Sequence, residues 1–138
     1  MTEQDSPNFK ATGAAPIFPT ADLPGAVERY RRMGFLVHAY PDDTGLDDAI
    51  YAFACYGPGE LHLSRVACAI PQANTASAYF WVEDADATHA AWSSADLGGD
   101  LDVPKDTPYG LREFCYVDPD GNALRVGSPI EPREDEDR

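Results

Sequence analysis

One order of segments, strand-like, helix-like, then three more strand-like, occurs twice along this chain of 138 residues, and that internal repeat limits the possible folds more than any other feature. In the first copy the apolar segment Ala14-Ala15-Pro16-Ile17-Phe18-Pro19 ends at a turn, after which Asp22 is placed to cap a helix with Pro24 in its first turn. Leu23, Val27 and Tyr30 recur at helical spacing, and Gly34 ends the helix. Strand patterns follow at 35–40, 49–55 and 60–66, separated by turn residues at 41–45 and 57–59. The second copy starts with a strand at 77–82. Asp84 or Asp86 caps a helix running through Trp92 to about Ala95 and ended by Gly98-Gly99. Strands at 101–104, 111–117 and 123–128 complete it, the last two joined by the tight turn Asp118-Pro119-Asp120-Gly121-Asn122.

The predicted fold is therefore α+β: two tandem β-α-β-β-β units forming a concave mixed sheet. Each unit has one helix for one face of its sheet, so the other face stays open unless something fills it. Strand alternation selects the side chains on that open face. If Leu61 and Leu63 pack on the helix, then Glu60, His62 and Ser64 line the trough. By the same parity Phe80 and Val82 enter the core while Tyr79 and Trp81 face the trough, and Leu124 and Val126 turn inward while Ala123, Arg125 and Gly127 face the trough.

Length and composition support one domain over residues 13–128, with repeats at about 13–68 and 76–128, between a flexible tail at 1–12 and an acidic tail at 129–138. A formal net charge of −14 opposes nucleic-acid and anionic-membrane partners and favours cationic ligands. Acids at the start of the chain, in place of a basic region and an apolar run, lead to a cytoplasmic expectation. Cys55, Cys68 and Cys115 lack metal or redox spacing and read as small buried or half-buried hydrophobes.

Three local patterns make the chain resemble the vicinal-oxygen-chelate superfamily (glyoxalases, bleomycin-resistance proteins and dioxygenases) and, within it, the bleomycin-resistance proteins. They are Ala15-Pro16-Ile17-Phe18 through Asp22-Leu23-Pro24-Gly25-Ala26-Val27-Glu28 to Gly34-Phe35; Tyr79-Phe80-Trp81-Val82; and Pro108-Tyr109-Gly110-Leu111-Arg112-Glu113-Phe114 leading to the turn at 118–122. Leu111 is one residue more than the pattern holds between Gly110 and Arg112, which leaves the register of that strand open.

The resemblance implies a glyoxalase/bleomycin-resistance fold, a homodimer, and Pro16 as the hinge of an exchanged N-terminal strand. An unswapped edge-strand proline is the alternative. It places the superfamily's four metal positions on Ala15, His62, Ser77 and Arg125, a set with one possible ligand and a repelling cation, so neither metal nor cofactor is expected. His62 has no evident partner for catalysis and reads as a ligand contact. Tyr79, Trp81 and Tyr109 are expected to stack planar heterocycles. Glu113, Asp42, Asp43 and Glu60 are expected to supply countercharge, with Ser64 and Arg125 as further contacts. The function so implied is non-catalytic sequestration of a cationic bleomycin-family glycopeptide at a dimer interface. The alternatives are a superfamily enzyme (lyase, thiol transferase or dioxygenase) or a binder of another small molecule.

Overall fold

The computed structural model describes residues 8–130 and holds two mixed sheets and two α-helices. In the first half, β1 (Ile17–Thr20), α1 (Leu23–Met33), β2 (Leu36–Tyr40), β3 (Tyr51–Tyr56) and β4 (Gly59–Arg65) form a sheet of order β1-β4-β3-β2. The second half follows with β5 (Ser77–Trp81), α2 (Ala85–Ser93), β6 (Asp100–Leu101), β7 (Lys105–Asp106), β8 (Leu111–Val117) and β9 (Ala123–Pro129). Its order is β5-β9-β8-β6, with β7 also on β8. In both halves the first strand runs parallel to the last and the others are antiparallel, so the repeat read from the sequence is present in the topology.

Local chemistry explains the elements. Asp22 caps α1 by accepting the Gly25 N–H at 3.1 Å, Pro24 sits in the first turn, and Gly34 closes the helix at φ 106°, a left-handed geometry that favours glycine. Leu23, Val27 and Tyr30 are fully buried, as their spacing implies. Pro16 and Pro19 are tolerated because β1 is a sheet edge whose one neighbour is β4, and the Pro16 carbonyl still accepts the His62 N–H at 2.9 Å.

Several boundaries differ from the sequence reading. Asp84, not Asp86, caps α2, and the helix stops at Ser93 instead of Ala95 because the Ser94 hydroxyl takes the carbonyls of Ala90 and Ala91. The glycines at 98 and 99 lie beyond that end. The single strand expected at 101–104 is two short pieces, since Asp102 Oδ1 accepts the Cys115 N–H and Pro104 lacks a donor of its own. Leu111 causes no slip: β8 and β9 pair without interruption from Leu111↔Pro129 to Val117↔Ala123. Cys55 and Cys68 are exposed and only Cys115 is half-buried, because Cys55 shares the outward parity of Tyr51 and Phe53. At the ends, β9 takes in Pro129 and the Ile130 N–H donates to the Gly110 carbonyl, so residues 129 and 130, expected in the tail, belong to the sheet and its border. The remainder of both expected tails, 1–7 and 131–138, lies outside the described residues.

The halves meet in one core. Phe35 packs on Phe80 at 5.7 Å between ring centroids, and Trp92 packs against Tyr56, Phe114 and Tyr116. Polar contacts cross the same seam. Trp92 Nε1 donates to the Met33 carbonyl at 2.8 Å, Tyr30 Oη donates to Asp118 Oδ2 at 2.9 Å, and Asn122 Nδ2 donates to the Pro19 carbonyl at 2.9 Å. Burial raises the Asp118 carboxyl above its ordinary range, while donors from Asn122 and Tyr30 pull it back.

Candidate functional site

The open face of the second half carries an aromatic wall organised by one carboxylate. Tyr79 and Trp81 lie on β5 two residues apart and therefore on one face, with ring centroids 4.7 Å apart and planes tilted by 52°. Tyr79 Oη donates to Glu113 Oε2 at 2.7 Å, and Tyr109 Oη, from the turn before β8, donates to Glu113 Oε1 at 2.6 Å. Arg125 Nη2 stands 3.6 Å from Oε1. Both oxygens of Glu113 are thus engaged, and its side chain retains only 11% of its exposure.

Gly127 makes this geometry possible. It is paired with Glu113 on one side and Trp81 on the other, and a Cβ there would overlap the Tyr79 hydroxyl and come within 2.9 Å of its ring. The bare strand lets the Tyr79 ring lie across β9 to reach β8. Electrostatics follow the contacts. The Tyr109 hydroxyl holds the Glu113 carboxyl below its ordinary value, burial opposes this, and Tyr79 and Arg125 add to it. Burial and the Glu113 bond push the Tyr79 hydroxyl well up, and Glu113 raises that of Tyr109.

Trp81 at 72% exposure and Tyr109 at 63% turn their rings to the outside. A cavity of about 310 Å³ beside Tyr109, Glu113, Cys115 and Arg125 is bounded entirely by second-half residues. A second, of about 530 Å³, lies where the halves adjoin, between Pro16 and Glu60 on one side and Tyr79 and Trp81 on the other.

On the first-half face the expected parity holds: Leu61 and Leu63 are fully buried, and Glu60, His62 and Ser64 face out. His62 bonds through both ring nitrogens, to Tyr51 Oη at 2.8 Å and to Glu60 Oε2 at 2.7 Å. The absence of partners inferred from sequence is corrected here. Tyr51 and Phe53, edge-on to His62, were not singled out. The signal was the run Tyr51-Ala52-Phe53-Ala54-Cys55, in which the small alanines are the buried set and the aromatics point outward.

Asp42 and Asp43 stand apart from both groups. Asp42 accepts from the backbone and hydroxyl of Thr44, and Asp43 accepts from the Ala39 N–H and pairs with Arg31 at 2.9 Å. Each carboxyl is held low chiefly by its backbone donor, from Thr44 and Ala39 respectively. Both organise the β2–β3 loop.

The superfamily's metal positions do not fit a metal here. His62 is the sole donor of the usual kind among Ala15, His62, Ser77 and Arg125, both of its nitrogens are engaged, and Arg125 brings positive charge. No group of three or more His, Cys, Asp or Glu among the described residues is arranged to hold an ion.

No protein-family model matches the sequence, and no curated protein matches it. Solved structures do. A bleomycin-binding protein from bleomycin-producing Streptomyces verticillus, complexed with copper(II)-bleomycin, is 29% identical at a TM-score of 0.68, covering 89% of this chain and 99% of that one. A bleomycin resistance determinant encoded on the transposon Tn5 gives 20% identity and a TM-score of 0.72 over 88% of this chain and all (100%) of that one. A glyoxalase-related enzyme from Clostridium phytofermentans gives 19% identity and 0.71 over 91% of this chain and 100% of its own. Twofold repetition of the β-α-β-β-β unit and these likenesses give the chain the glyoxalase/bleomycin-resistance fold, with a likeness to bleomycin-binding proteins of that fold.

Proposed function

We propose that this protein binds, without modifying it, a planar cationic small molecule of the bleomycin class, and that it does so as a homodimer. The observation that carries the reading is the wall of Trp81, Tyr79 and Tyr109 pinned by Glu113. Rings held in place before a ligand arrives lose little freedom on binding, so their stacking, on the order of 1 kcal/mol per contact, is retained as affinity. A tyrosine hydroxyl donating to an ionised carboxylate makes its ring richer in electrons, which suits a cationic heterocycle. The net charge of −14 adds long-range attraction.

Dimerisation is supported by the faces each half leaves open. Ile17, Leu36 and Phe53 lie exposed on one sheet and Trp81 and Tyr109 on the other, and a second copy related by a twofold axis would bring one face of each kind together. In this reading Asp42 and Asp43 shape the loop beside the first face, Ser64 and Glu60 contribute polar contacts, Arg125 borders the wall, and Pro16 is the hinge if the first strand is exchanged. One domain spanning 13–128 would carry both faces. The competing reading, a metal-dependent superfamily enzyme, is disfavoured by the donor set at residues 15, 62, 77 and 125.

The test is isothermal titration with metal-free and copper-loaded bleomycin, together with a measurement of subunit number. One ligand per chain in a dimer, weakened about tenfold or more by Tyr109→Ala, is the expected result. No heat at tens of micromolar protein would remove this class of ligand.

A further inference from the structure

Three side chains on the first-half face form a continuous hydrogen-bonded line that the stacking wall does not involve. Glu60 and His62 are two apart on β4, and Tyr51 reaches His62 diagonally from β3, where it is paired with Ser64. The distances are 2.7 Å from Glu60 Oε2 to His62 Nε2 and 2.8 Å from His62 Nδ1 to Tyr51 Oη.

The direction of each bond follows from the groups themselves. An ionised carboxylate only accepts, so Nε2 carries the ring proton. A neutral imidazole then has a bare Nδ1, so Tyr51 O–H is the donor of the second bond. With its only proton directed to His62, Tyr51 Oη has lone pairs alone for a further partner. Beside it stand apolar surfaces: Phe53, 42% exposed and edge-on to both Tyr51 and His62, and Ile17 on β1, paired with His62. Neither residue paired with His62 is ionisable, and the next strand adds His38, paired with Phe53, on the same face.

We propose that Tyr51, His62 and Glu60 form a proton-accepting site for a flat ligand bearing a weakly acidic O–H, a phenol or an enol. The ligand ring lies on Phe53 and Ile17 with its hydroxyl donating to Tyr51 Oη. As the ligand O–H bond breaks, its proton goes to Tyr51 Oη while the Tyr51 proton passes to His62 Nδ1. The resulting imidazolium donates to Tyr51 through Nδ1 and to the Glu60 carboxylate through Nε2. Tyr51, again protonated, now donates to the ligand oxyanion. No other reactant takes part. The logic is that of a base oriented and stabilised by a carboxylate, with a tyrosine as its outer end.

Two measurements test it, neither involving the antibiotic. In protein labelled with ¹⁵N at histidine, the His62 signals, identified by their loss in His62→Gln, should show a protonated Nε2 and a bare Nδ1. The opposite tautomer would overturn the proposal, and because this is read on the unaltered protein it holds whether or not variants fold. The second measurement adds 4-nitrophenol near neutral pH, where the free compound is only partly ionised and an ordinary imidazole is largely unprotonated, and follows the rise of the phenolate band above its protein-free level. The band should grow with protein and fall about tenfold or more in Tyr51→Phe and Glu60→Gln, as loss of a charge-assisted bond requires. A band that never grows, or that survives Tyr51→Phe, would refute the relay.

Discussion

Gly127→Ala isolates the device that sets the aromatic wall. The added methyl would overlap the Tyr79 hydroxyl and stand 2.9 Å from Cζ and 3.3 Å from Glu113 Cγ, so Tyr79 must swing away and its 2.7 Å bond to Glu113 is lost. A hydrogen bond to a charged group contributes about 1.5–3 kcal/mol. Against this, alanine in a strand restricts the unfolded chain more than glycine does and returns about 0.4–1 kcal/mol. Water reaching Glu113 from the open face softens the loss further. The net destabilisation should be about 1–2 kcal/mol, which for a domain of this size lowers Tm by roughly 3–10 °C.

Urea unfolding gives the free energy, and a spectrophotometric alkaline titration follows the tyrosine freed from Glu113. Tyr79→Phe should cost a similar amount, and the double variant clearly less than the sum, because without the hydroxyl the methyl has less to displace. A Gly127→Ala protein within about 0.5 kcal/mol of the parent, with an unchanged tyrosine titration, would refute the reasoning.

Other outcomes follow from the same geometry. The Glu113 carboxyl is depressed from its ordinary 4.5, mainly by Tyr109, so its stabilising contribution is full above that value and fades as pH falls through the lower folded one. Tyr109→Phe should therefore weaken the protein above pH 4.5 and less below it, as pH-dependent urea midpoints would show. Trp92→Phe leaves the Met33 carbonyl without its buried donor and should cost about 1–3 kcal/mol in urea unfolding. Removing the α1 cap with Asp22→Ala should cost about 1 kcal/mol by the same method. Zinc or manganese at a hundredfold excess should leave Tm unchanged in differential scanning calorimetry, since the residues at 15, 62, 77 and 125 offer one engaged histidine and a cation.

Much of the architecture was legible because it depends on local signals. Asp22, Pro24 and Gly34 bound one helix by chemistry confined to its own ends, and the alternation of Leu61 with His62 and of Phe80 with Tyr79 fixed the outward sets. What sequence missed depends on particular side-chain hydrogen bonds, some local and some between strands, that spacing and alternation do not report. The end of α2 is decided by Ser94 competing for its carbonyls, and the break between β6 and β7 by Asp102 reaching across to Cys115. Glu113 read as a free countercharge, yet its oxygens belong to tyrosines that approach from β5 and from the preceding turn. Tyr51 and Phe53 escaped notice because aromatics on strands usually mark the buried side, and here the alanines between them do.

The contacts crossing the seam also bear on the order in which the molecule can form. Tyr30, the Pro19 carbonyl and the Met33 carbonyl find their partners at Asp118, Asn122 and Trp92, separations of 88, 103 and 59 residues. During synthesis from the N-terminus, the first unit can assemble its sheet early but keeps these groups unmatched until the later part of the chain emerges. At roughly 5–20 residues per second that interval lasts several seconds. A nascent chain halted before Asp118 would hold an apolar seam open to solvent, and such a chain is where we expect chaperone binding and aggregation to concentrate.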